Sequence, residues 1–129
     1  MTRTLTHVAL TPAAFAPFGD VLDAAGTPDK SINQGRCDRF NDLATLEFAD
    51  GRAGISVFHS QCVTLPVTVE MMERHPLGSQ AFVPMSADPF LVIVAEDAAG
   101  VPAHPHAFLT APGQGINVHR NVWHGVLTP

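Results

Sequence analysis

The stretch Ala81-Phe82-Val83-Pro84-Met85-Ser86-Ala87-Asp88-Pro89-Phe90-Leu91-Val92-Ile93-Val94 decides the fold class. Two apolar runs, Ala81 to Val83 and Phe90 to Val94, flank Ser86-Ala87-Asp88-Pro89, whose composition favours a turn. Both runs are short and apolar enough to be buried strands. Working outward, Ala107 to Leu109 and Ile116 to Val118 read as two more, split by Pro112-Gly113. Upstream, Ile55 to His59 alternates in part, and Val63 to Val69 is β-branched around Pro66. Short strands punctuated by Pro and Gly predict an all-β sandwich or barrel, not a parallel α/β sheet. One helix start precedes them. Thr11 can cap, Pro12 suits the first helical position, and Pro17 and Gly19 stop the turn begun by Ala13-Ala14-Phe15. Phe15 and Phe18, three apart, let this short N-terminal helix plug one end of the sheet. A loop follows from Ala24 to Lys30.

A chain of 129 residues fits one domain, read here as 1–129, with a single core. The hydrophobic fraction of 46% and charged fraction of 15% exclude a disordered chain. With a net charge of -5 and seven scattered basic residues, the sequence has no means of neutralising a nucleic-acid backbone. Its longest apolar run, Phe90 to Ala95, is too short to span a bilayer, and no apolar signal segment follows Met1. The expected compartment is therefore the cytoplasm. There Cys37 and Cys62 are expected to pack as small hydrophobes rather than form a bridge. Seven histidines against a single lysine direct attention to metal or acid–base chemistry.

Three of those histidines, His75, His119 and His124, lie in two polar clusters. In Glu73-Arg74-His75-Pro76-Leu77-Gly78-Ser79-Gln80, Glu73 and His75 are two apart and share one face of a strand. The Pro-Leu-Gly turn can return Gln80 across a hairpin to face them. A carboxylate, an imidazole and an amide oxygen suit a divalent transition metal, although a solvent-facing turn explains the same spacing. In the second cluster, His119 and His124 bracket Arg120-Asn121, where a turn can form, and Trp123. A satisfied core histidine and a site histidine are equally compatible with it. His104-Pro105-His106 lies in a Pro-rich stretch that reads as a solvated loop, and His7 reads as a surface residue.

Taken together, the clusters resemble the paired motifs of cupin barrels. Glu73-x-His75-x4-Gln80 is similar to the first motif, with Glu73 and Gln80 in place of a His and a Glu. Gly113-x5-His119-x-Asn121-x2-His124 is similar to the second, with His124 at the metal-ligand histidine. The block from Glu73 to Met85 closely resembles ureidoglycolate lyases. So do Gly115 to His124, Phe15 to Val21, Ile32-Asn33-x-Gly35 and Arg39-Phe40-x-Asp42-Leu43-Ala44. His59 stands where that family usually has an Arg, and Asn41 where a His is usual. Its chain usually continues past the Trp-His segment, so a barrel wall left open at Pro129 is expected.

The resemblance implies a cupin-like antiparallel β-barrel or jelly roll. Its activity would be metal-assisted cleavage of ureidoglycolate to glyoxylate and urea, a step of allantoin and purine catabolism. His75, Gln80 and His124 are the expected metal ligands, with Glu73 as ligand or general base and His119 as proton donor to the leaving nitrogen. Arg74, Arg120, Arg39, Asn33 and His59 are the expected substrate contacts. Nickel is the implied ion, although nitrogen and oxygen ligands do not select it over zinc or manganese. A homodimer acting on a small molecule, with no nucleic-acid or membrane partner, is the implied assembly. Two alternatives stand beside this reading: a hydrolase releasing ammonia from the same substrate, and a non-catalytic cupin binding a small acid.

Overall fold

The apolar run at 91–94 forms the buried half of the longest ladder in a computed structural model that describes residues 4–126 and 128–129. In chain order the elements are β1 (Val8–Ala9), α1 (Pro12–Phe15), β2 (Gly19–Leu22), β3 (Lys30–Ile32), β4 (Cys37–Arg39), β5 (Met72–Glu73), β6 (Gln80–Phe82), β7 (Leu91–Ala98), β8 (Val101–Leu109), β9 (Gly115–Val118) and β10 (Trp123–Gly125). They form a five-stranded sheet, β1-β8-β7-β10-β5, a three-stranded sheet, β2-β9-β6, and the hairpin β3-β4. The protein is mostly β, as expected. The ladders among the described residues do not close into one continuous barrel.

Alternation along the strands builds the core between the two larger sheets. Val92, Val94 and Phe108 come from one sheet, and Val21, Ile116 and Val118 from the other. Phe15 and Phe18 close one end. Phe15 is fully buried, its ring edge-on to Phe108 at 5.5 Å between centroids. Thr11 caps the turn that delivers them, its hydroxyl accepting from the Ala14 N–H at 3.2 Å behind Pro12.

Several expectations fail, each for a physical reason. Ile55 to His59 and Val63 to Val69 are not strands: the 51–70 stretch has no ladder, and Ile55 is 98% exposed. Strand propensity expresses packing against neighbours, and among the described residues the one backbone bond from that stretch to the rest of the chain runs from the Val63 N–H to the Pro129 carbonyl. The histidine pair is not in a loop. His104 and His106 lie in β8, where the β7–β8 register shifts beside Val94 and Pro105 costs no ladder donor. Both cysteines are exposed rather than packed: Cys37 lies on the β3–β4 hairpin and Cys62 in the 51–70 stretch. No helix of the described residues is long and apolar enough to cross a membrane.

Candidate metal centre

Strand register brings the first ligand pair together. In the β5–β10 ladder Glu73 stands directly opposite His124, so both side chains leave the same face. His75, two residues past Glu73, shares that face although β5 has already ended. Its backbone is held by the Asn121 N–H, which donates to the His75 carbonyl at 2.9 Å. One ligand atom each from Glu73, His75 and His124 lies within 4.8 Å of the others. The two imidazole centroids are 5.2 Å apart.

Gln80 reaches this face from the other sheet, not across a hairpin from Glu73. It is the ladder partner of Val118, and Phe82, on the same face of β6, places its ring 6.0 Å from that of His124. The turn at 76–78 therefore joins two layers rather than two neighbouring strands. Beside His124 a small cavity is lined by apolar side chains, among them Phe82, Ile116 and Val118.

Three polar atoms of this group are buried with no hydrogen-bond partner: His75 Nε2, Gln80 Oε1 and His124 Nε2. Each such orphan costs about 1–3 kcal/mol and needs a physical explanation. Two imidazole nitrogens, an amide oxygen and the Glu73 carboxylate are a nitrogen–oxygen donor set of the kind that suits a divalent transition metal. The protonation of His124 agrees. Burial, with the His75 charge assisting, holds its pKa below the ordinary 6.5 against the opposing Gly125 carbonyl and Glu73. Its Nδ1 lies 3.0 Å from the Gly125 carbonyl, which can only accept, so the proton sits there and Nε2 keeps its lone pair.

His119 is not brought to this cluster. Its Nε2 donates to Asp20 Oδ2 at 3.2 Å, and the same oxygen accepts from Asn117 Nδ2 at 3.0 Å and the Thr45 N–H at 2.7 Å. Alternation along β9 puts Asn117 and His119 on the face opposite Ile116 and Val118. Burial would raise the Asp20 pKa, but the bonds from Thr45, Asn117 and His119 outweigh it and hold the carboxyl below its usual range. Sequence reading missed this network. The available signal was Asn117, a polar residue within an otherwise apolar strand.

The expected substrate contacts are dispersed. Arg74 Nη1 donates to Asp97 Oδ1 at 2.8 Å, and its guanidinium lies 4.7 Å from the Trp123 ring centre. Arg120 faces Glu47 at 3.9 Å. Asn33 occupies the β3–β4 turn at φ 54°, and Arg39 is exposed at the end of β4. His59 lies in the exposed 51–70 stretch.

Known proteins share this sequence over nearly its whole length. A family model described as ureidoglycolate lyase matches residues 2–129. A ureidoglycolate lyase of Rhodobacter capsulatus is 63% identical over 121 residues, 93% of this chain and 75% of that one. One from Chelativorans sp. is 53% identical over 98% of this chain and 78% of its own. One from Mesorhizobium japonicum is 53% identical over 100% and 80%.

Proposed function

This chain belongs to the ureidoglycolate lyase family, and we propose that it cleaves ureidoglycolate to glyoxylate and urea at the cluster of Glu73, His75, Gln80 and His124. The observation that carries the site is the convergence of ligand atoms from Glu73, His75 and His124, with both histidine Nε2 atoms buried and unpartnered.

Ureidoglycolate carries a hydroxyl, a carboxylate and a urea nitrogen on one carbon. Its cleavage breaks the C–N bond: the hydroxyl proton departs, the oxygen electrons form the carbonyl of glyoxylate, and the nitrogen leaves with the bond pair and takes up a proton. His75, Gln80 and His124 would hold the metal, with Glu73 at its edge. When bound, the ion supplies Lewis acidity that lowers the pKa of the substrate hydroxyl. Glu73, the exposed member of the group, is the base that accepts the hydroxyl proton. In this reading it then returns that proton to the urea nitrogen, taking over the role expected of His119. His119 is bonded to Asp20 instead. The apolar wall beside His124 limits water near the reacting carbon, which favours carbonyl formation over hydrolysis of the urea group.

Nickel is the ion to try first, zinc and manganese next, because the family resemblance supports the former and the donor set admits all three. The same resemblance supports a cupin-like jelly roll, a cytoplasmic location and a homodimer. Exposed Ile55, Val57 and Phe58 add apolar surface for a second copy to cover.

The test is incubation of the purified protein with ureidoglycolate, with and without nickel, following glyoxylate, urea and ammonia. Glyoxylate and urea rising together above the spontaneous rate are expected. Ammonia in place of urea makes the protein a hydrolase, and no turnover with any of the three metals sinks the enzymatic reading.

A further inference from the structure

On the side of the strands away from the ligands, a second set of side chains is arranged with equal regularity. Arg74 lies between Glu73 and His75, and Trp123 immediately precedes His124. Since Glu73 opposes His124, the register sets Arg74 opposite Trp123 on the reverse face. Trp123 pairs in turn with Ala95 of β7, and Asp97, two residues further on, shares that reverse face.

Asp97 joins these side chains. Its Oδ1 accepts from Arg74 Nη1 at 2.8 Å and from Trp123 Nε1 at 2.9 Å, and its Oδ2 accepts from the Gly100 N–H at 3.4 Å. Gly100 and Ala99 form the two-residue tip of the β7–β8 hairpin, both at positive φ, 87° and 53°. The tip therefore presents Asp97 from a tight turn. The Arg74 guanidinium rests on the Trp123 ring, which keeps all three groups in mutual contact. The Trp123 N–H is the largest influence holding the Asp97 carboxyl below its ordinary range, with Gly100 and Arg74 assisting against a smaller opposing effect of burial.

An exposed Asp–Arg pair alone stabilises a protein little. Here its position matters more than its strength. The β5 ladder ends at Glu73, so His75 lies beyond it, and among the described residues the Asn121 bond to its carbonyl is the one backbone bond that holds it. Arg74, the residue between, has its side chain fixed by Asp97 and Trp123.

The geometry points to Asp97 as a positioning residue of the ligand cluster: through Arg74 and Trp123 it holds the backbone that aims His75 and His124. The inference rests on the metal reading above and adds to it a residue that touches neither ion nor substrate.

The experiment titrates Co²⁺, whose visible absorption reports ligand geometry, into the purified full chain and into Asp97→Leu, Asp97→Asn and Glu96→Gln, with thermal midpoints of the metal-free proteins alongside. Expected is a loss of Co²⁺ affinity of about 10-fold or more in Asp97→Leu, with an altered spectrum. Asp97→Asn, which keeps an acceptor for the Trp123 N–H, should recover most of both. Glu96→Gln, at an exposed neighbouring position, should match the unaltered protein. If Asp97→Leu does not fold, Arg74→Gln takes its place with the same expectation. Wild-type affinity and spectrum in Asp97→Leu, or in its substitute, overturn the inference while leaving the metal reading intact. If the unaltered chain fails to bind Co²⁺, or binding survives both His75→Ala and His124→Ala, the metal reading fails and this inference falls with it.

Discussion

Glu73 and His124 are directly opposed partners in the β5–β10 ladder. Strand register, rather than loop conformation, therefore sets half of the candidate ligand group. A slip of one residue would carry His124 to the reverse face and bring Trp123 into its place. The Asp97 bonds to Arg74 and Trp123, with Arg74 resting on the Trp123 ring, oppose such a slip on that reverse face.

Replacing His124 by Leu separates binding from folding. The buried Nε2 of His124 has no partner, so its removal costs little of the stability that a satisfied polar group would contribute. The metal-free variant should unfold within about 1 kcal/mol of wild type in urea. Nickel binding by calorimetry and glyoxylate release should both be lost. A variant that still binds stoichiometrically would remove His124 from the ligand set.

Asn117 also has an unpartnered buried atom, Oδ1, but its Nδ2 is doubly bonded. It is fully buried, and its Nδ2 donates to both Asp20 Oδ2 and the Thr45 carbonyl. Asn117→Leu strips a donor from a part-buried carboxylate and leaves the Thr45 carbonyl short of one. A loss of about 2 kcal/mol is expected from urea denaturation.

Asp20 gives stability a pH dependence at the acid end. Its folded pKa lies below the ordinary 3.8, so above that pH its contribution is fully present. As pH falls below 3.8 the unfolded chain takes up a proton first, and the contribution is lost as the folded pKa is passed. Thermal midpoints of wild type and Asp20→Asn should therefore differ most at neutral pH and converge in acid. A constant gap down to pH values well below 3.8 would contradict the assignment.

Gly19 sits in β2 directly against β9 of the smaller sheet. A Cβ there would overlap the Asn117 carbonyl oxygen and press on the Phe15 ring. Relief requires β2 to move away from β9, which also pulls Asp20 from its donors. Gly19→Ala should cost about 3 kcal/mol or fail to fold, read from denaturation midpoints and soluble yield.

Local chemistry explains what the sequence could reveal. The Thr11 cap, the turn at 86–89 and the apolar runs of β7 and β9 depend on neighbours within a few residues, and all were readable. His75, Gln80 and His124 were named by motif resemblance, since their spacing in the chain also fits a surface turn. Ile55 to His59 and Val63 to Val69 do not become strands because β-branched residues promise a strand only when another strand pairs with them. Asp20 and Asp97 were invisible as site neighbours. Each acts on residues that lie 20 or more positions away, Asn117 and His119 for one, Arg74 and Trp123 for the other. Nothing local to either aspartate marks that reach.

Gln80 belongs to the three-stranded sheet, whereas Glu73 and His124 belong to the five-stranded one, and among the described residues no ladder joins the two. On the proposed reading, an ion held from both sides would be a rivet through the sandwich as well as a reagent. Its dissociation and the parting of the layers would become one equilibrium, so saturating metal should raise resistance to unfolding in proportion to the logarithm of its concentration. Starvation for the ion would then loosen the protein before it merely silenced it.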